Sequence, residues 1–175
     1  MLPLSDALNR WHEFYTLLGT ASATMVGLLF VAASVSSGVF TSDRRAPLRM
    51  FLSASVVNFA SMLLVSLIVL APISDWVLLG LPVLGGGLFG LGYSGVAWRD
   101  TVRDGLIKKV DLDDRIWYMV LPVVGYLFEA ASGVVLAFGW DQGCLALALS
   151  MGLLLVIGLH NAWDITVWTV THRRE

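Results

Sequence analysis

Long apolar runs broken by short polar connections dominate the chain, and five of them reach the roughly 20 residues that a membrane-crossing helix needs. They cover about 14–38, 50–72, 76–98, 116–139 and 144–169. The pattern predicts an all-α integral membrane protein, a five-transmembrane-helix bundle in which residues 1–175 form a single transmembrane domain. Pro47 and Pro72 bracket the second run. The links near Ser74 and Asp141 are so short that spans two and three, and spans four and five, are expected to form antiparallel hairpins. The longest connection, 99–115, sets Val102, Leu106 and Val110 at helical spacing among charges, the pattern of a short helix lying on a membrane surface.

Composition agrees with that pattern. The chain is 57% hydrophobic and 14% charged, with a mean hydropathy of +0.79, too apolar for a water-soluble domain of this length. The net charge of -2 and the sparse cations give no footing for nucleic acid. A single cysteine, Cys144, excludes an internal disulfide framework. The first apolar run starts only after Glu13, and Arg10 is the one cation before it, so the first helix is expected to remain in the mature protein.

Charge then orients the bundle. Arg44, Arg45, Arg49, Arg99, Arg103, Lys108, Lys109, Arg115, Arg173 and Arg174 fall in alternate connections, and Arg10 stands alone on the other side. The positive-inside rule makes the first set cytoplasmic, with the N-terminus outside, the C-terminus inside and both hairpins facing out. Trp11, Trp76 and Trp140 at outer span ends, with Trp98, Trp117 and Trp168 at inner ends, fit the interfacial preference of that ring, whereas Trp163 lies deeper. The bias of nine Arg to two Lys suggests a GC-rich bacterial genome and hence a multi-pass protein of the inner (plasma) membrane.

Helix association in lipid relies on close backbone approach, so stripes of small residues mark packed faces or oligomer contacts. Gly19, Ala23 and Gly27 form such a stripe in the first span, and Gly86, Gly90 and Ser94 form one in the third. In the fourth, Gly125, Gly133 and Ala137 leave one place in the four-residue series, and Glu129 fills it. At 1.5 Å per residue Glu129 lies roughly 18 Å from Trp117 and about 16 Å from Trp140, near the midplane. A central carboxylate costs about 2.5 to 3.5 kcal/mol on insertion, which the surrounding Leu, Val and Phe residues offset. An ionisable residue at such depth marks either a functional site or a hydrogen bond that ties two helices together.

Further polar residues share the inner half. His160 and Asp164 sit four apart on one helix face beside Asn161, at roughly 12 Å and 6 Å of depth, and Asn58 comes out at about 13 Å. Asn58 and His160 are therefore expected to meet, giving a ladder from Glu129 through Asn58 and His160 to Asp164. A carboxyl, an imidazole and a second carboxylate have the chemistry of a proton or cation path. Equally, His160 bonded to Asp164 or to a backbone carbonyl, and Asp164 paired or hydrated at the interface, would be purely structural.

Other chemistry finds less support. Two helical ligands, even with Glu129 as a third, make a poor metal site, and neither His12 nor His172 pairs with His160 for haem. No protease motif accompanies the spans. The glycines of span three follow no strand and so form no nucleotide loop. Asp111, Asp113 and Asp114 lack the glycine and glutamate of a calcium loop and suit the N-terminus of the fourth span.

The sequence thus predicts neither an enzyme nor a cofactor or metal protein. Two functions are expected from it. One is an oligomeric channel or carrier for protons or small cations. The other is an accessory or assembly subunit that binds a larger membrane complex through its small-residue faces.

Overall fold

The computed structural model describes residues 2–36, 45–103 and 115–171. Among them every regular element is helical: α1 (Leu4–Ser36), α2 (Arg45–Leu70), α3 (Trp76–Arg103), a π-helical turn at Ile116–Val120, α4 (Leu121–Ala137) and α5 (Gln142–Thr171). Four segments are long and apolar enough to cross a membrane: Leu4–Ser34, Trp76–Asp100, Ile116–Ala137 and Gln142–Asp164. Within α2 the apolar segment is shorter, Ser55–Leu70. The connections at 37–44 and 104–114, with their arginines, lysines and aspartates and with Leu106 and Val110, lie outside the described residues.

Helix boundaries depart from the apolar runs where packing extends a helix beyond them. Helix α1 starts at Leu4 rather than near residue 14, because Leu4, Ala7, Leu8 and Trp11 give its first turns an apolar face that joins the core. Helix α3 runs on to Arg103, so Val102 continues that helix and is exposed.

The short links have specific stops and starts. The Asp75 carboxylate accepts hydrogen bonds from Val77 N at 2.8 Å and Leu78 N at 3.1 Å, capping the otherwise unpaired amides of α3. Helix α4 ends in a Schellman turn: Trp140 N donates to Val135 O and Gly139 N to Leu136 O, with Gly139 at φ +79°. A Cβ is costly in that left-handed region, which accounts for glycine there. At its other end α4 begins after the π turn, with Pro122 in its first turn. Proline has no N–H and its ring crowds the carbonyl four residues back, so a widened turn precedes it and a regular helix follows. Pro122 therefore marks where the widened turn passes into regular helix within the span Ile116–Ala137.

Helices α2, α3, α4 and α5 close a ring in which each touches the next, and α1 packs along α2 and meets α5. The tightest seam joins α3 to α4. A Cβ on Gly80 would lie 2.5 Å from Ala137 N, and one on Gly133 would lie 2.8 Å from Gly80 O, so the two backbones touch where both helices carry glycine. Between the seams Phe59, Met62, Leu79, Val83, Leu136, Met151, Leu154 and Ile157 fill the interior.

The exterior is as apolar as the interior. Leu17, Phe30, Leu64, Leu81, Phe89, Leu127, Phe128 and Leu149 point outward from all five helices, with Leu17 at 70% and Phe89 and Leu149 at 67% exposure. Meanwhile Ser22, Ser55, Asn58, Ser66, Glu129, Ser132, Ser150 and Asn161 are buried. Soluble monomers rarely expose contiguous apolar surface on that scale, whereas lipid solvates it without cost. Outward hydroxyls are masked too: Thr20 and Thr24 each donate at 2.8 Å to the carbonyl four residues back.

Candidate functional site: a buried carboxyl with its tyrosines

Glu129 sits mid-way along α4 and has no exposed surface. Helical spacing puts it on the face shared by Tyr126, Gly133 and Ala130, which carries the α3 contact. Its carboxyl is aimed at Gly86 of α3, where a Cβ would come within 2.7 Å of Oε1. A side chain at 86 would force the carboxyl head to shift. Neither Oε1 nor Oε2 has a hydrogen-bond partner.

Tyr126 flanks it, and a second tyrosine, Tyr15, is buried in the same bundle. Tyr126, one turn earlier on α4, donates its hydroxyl to Asn58 Oδ1 on α2 at 2.7 Å. Its ring occupies the space above Gly90, which explains the second glycine of the α3 stripe. Tyr15 of α1 is 1% exposed and its hydroxyl, like the carboxyl, has no partner. Cys144 of α5 is buried as well. Neither tyrosine is visible as a site residue in the sequence, where an aromatic within an apolar run reads as core. The available signal was the i, i+3 spacing of Tyr126 to Glu129.

The polar residues of α2 and α5 separate. His160 Nε2 lies 3.2 Å from Asp164 Oδ2, and both side chains are about one-third exposed, at 31% and 38%. The His160 ring stacks on Trp117 of the π turn, with centroids 3.8 Å apart and planes 22° from parallel. The expected meeting of Asn58 with His160 is replaced by other partners: Asn58 turns to Tyr126, and His160 turns to Asp164 and Trp117. Asn161 is the buried member of that passage, 1% exposed, with its Oδ1 unpartnered and its backbone carbonyl accepting from Tyr118 at 3.4 Å. Depth along a helix axis places these residues at similar levels, but the azimuth around α5 puts Asn161 inward and His160 towards the surface.

The small-residue stripes divide for a related reason. Gly19 packs on Ser66, whereas Ala23 is exposed and Gly27 meets nothing within 4 Å. Gly125 receives Leu154 of α5 while Gly133 meets Leu84 and Gly80 of α3. Each four-residue step overshoots a full turn by about 40°, so a stripe rotates from one neighbour to another or out of the bundle. Ser150 Oγ, donating at 2.8 Å to Gly125 O, uses the opening that Gly125 leaves.

Among the described residues no three His, Cys, Asp or Glu side chains gather as a metal would require. An all-helical bundle with an apolar exterior and a sealed interior carboxyl is consistent with a multi-pass membrane protein. Comparison with protein-family models, with curated proteins and with solved structures finds no match to this chain.

Proposed function

We propose that the chain is a non-enzymatic carrier or channel for protons or small cations, with Glu129 as the group that takes the cation. The observation behind this reading is the state of that carboxyl: fully buried at mid-helix, with both oxygens unpartnered. A glutamic acid kept as interhelical glue would bond another helix, and the central position would be costly to retain without some other use. Tyr126 and Asn58 extend the polar interior to α2, while Asn161, His160 and Asp164 supply polar groups nearer the other end of α5. In this reading five spans cross the bilayer, with N-terminus outside, C-terminus cytoplasmic and both hairpins outside, following the ten-to-one cation split. The setting proposed is a bacterial inner membrane.

The test is reconstitution in liposomes, with proton and cation flux compared among wild type, Glu129→Gln and His160→Ala. Flux in the wild type that disappears in Glu129→Gln is expected; flux no greater than in empty liposomes would refute the reading.

A second reading, an accessory subunit of a homo-oligomer or a larger membrane complex, draws on a different observation. Gly27, Gly85, Gly92 and Gly95 have open space where a Cβ would stand, so small-residue tracks on α1 and α3 face away from the subunit. This reading expects an assembly, seen by native mass spectrometry, that Gly92→Leu dissociates, and no flux.

A further inference from the structure

Glu129 does not stand alone on its face of α4. Tyr126 precedes it by three residues, and the two side chains lie on adjacent rungs across the same stretch of α3: the carboxyl against Gly86, and the Tyr126 ring where a Cβ of Gly90 would be. From its seat on Gly90 the phenol reaches on to α2 and donates to Asn58 Oδ1 at 2.7 Å. One side chain of α4, only 1% exposed, thus spans the interior from α3 to α2. We infer that Tyr126 is a gate, seated on Gly90 and latched by Asn58, that closes the approach to Glu129 from the end of the bundle holding His160 and Asp164. Resting on the carrier reading above, this assigns the residue that controls entry to its site.

The direction follows from the order of residues along α4. Its start continues from the π turn, where Trp117 stacks on His160 and Tyr118 donates to Asn161 O. Glu129 lies about 18 Å further along the axis than Trp117, and Tyr126 falls about 4.5 Å short of Glu129. Tyr126 therefore stands between the carboxyl and the polar residues at that end of α5.

The place that the ring fills is also where the bundle is least tightly joined. Of the seams that close α2, α3, α4 and α5 on one another, the one between α2 and α3 is the slightest among the described residues. By contrast, α3 and α4 meet backbone to backbone at Gly80, Gly87 and Gly133. Helices α3 and α4 therefore stay together, and the freedom lies on the α2 side, where Asn58 holds the phenol. A buried hydroxyl that leaves its acceptor loses a bond and strands a carbonyl oxygen, so the closed position is held by hydrogen bonding as well as by packing. Moving the ring off Gly90 uncovers the neighbouring carboxyl, neither of whose oxygens has a partner to surrender before it takes a cation.

The gate is tested by the reactivity of a thiol at the site, which requires no transport. In a Cys144→Ala background, Glu129→Cys is treated with a small cationic methanethiosulfonate, and the rate of modification reads how often the gate opens. Tyr126→Phe keeps the ring and removes the latch, and Asn58→Leu removes its acceptor. Each is expected to speed modification about three- to twentyfold, the range set by loss of a hydrogen bond inside a membrane protein. Ser150→Ala, which removes a bond from α5 to Gly125 O of α4, is expected to leave the rate unchanged. A thiol no more reactive in Tyr126→Phe would overturn the gate. So would equal acceleration by Ser150→Ala, since that reports general loosening of the bundle. In liposomes with Glu129 intact, Tyr126→Phe is expected to raise cation flux by a similar factor. Flux that needs Glu129 but is unaltered in Tyr126→Phe would overturn the gate and leave the carrier reading standing. Absence of flux in every variant, with the thiol still faster in Tyr126→Phe, would overturn the carrier reading and keep Tyr126 as the latch over residue 129.

Discussion

Single side chains in this protein act through the partner they have or lack. Asn58 and Tyr126 satisfy each other across α2 and α4, and Tyr126→Phe strips the donor from a buried carbonyl oxygen. Pairs of this kind inside membranes are worth about 0.6 kcal/mol on average and up to roughly 1.7. Tyr126→Phe is expected to lose about 1 kcal/mol in an SDS-titration unfolding experiment, with part of the loss recovered when Asn58→Leu removes the stranded acceptor. A double mutant no better than the sum of the two singles would mean that the bond is not formed. Glu129 lay open to sequence reasoning because depth follows from counting residues, and its place in a glycine series already pointed it at another helix. His160 did not, since its orientation depends on how α5 is rotated in the bundle, and the Trp117 ring that receives it is delivered by a π turn that no periodicity announces.

At the scale of helices, the glycines fall into two functional kinds that look alike in the sequence. Gly80, Gly87 and Gly133 let α3 and α4 meet backbone to backbone, and Gly27, Gly85 and Gly92 face open space. Gly80→Ala and Gly133→Ala are expected to destabilise by about 1 to 3 kcal/mol through overpacking, while Gly27→Ala and Gly92→Ala stay within about 0.5 kcal/mol, as exposed changes do. Thermal unfolding in detergent measures both sets, and equal losses would contradict the division. The hairpin between α4 and α5 depends on Gly139 at φ +79°, so Gly139→Ala forces a Cβ into a left-handed conformation. That change is expected to lower stability by about 1 to 2 kcal/mol, read in the same melt against Gly152→Ala, whose Cβ would meet nothing within 4 Å.

For the molecule as a whole, an apolar exterior on every helix and a polar thread inside invert what a water-soluble bundle of this size would show. Orientation in the bilayer is the prediction at this scale. With Cys144 replaced by alanine, single cysteines at Asp6 and at Asp100 are expected to react with a membrane-impermeant maleimide from opposite sides, Asp6 from outside and Asp100 only after the cells are opened. Both labelled from one side would undo the five-span topology.

The sequence by itself pointed to an apolar solvent, and it fixed the helical content and the position of each polar residue along its helix, because these depend on quantities that add along the chain: hydropathy and helix rise. It also singled out Glu129. Only the tertiary structure decided who faces whom. A four-residue repeat drifts around the helix by about 40° per step, so the rotation of each helix, set by backbone contacts such as Gly80 with Ala137, chose Gly86 for Glu129 and Tyr126 for Asn58, and turned His160 towards Trp117.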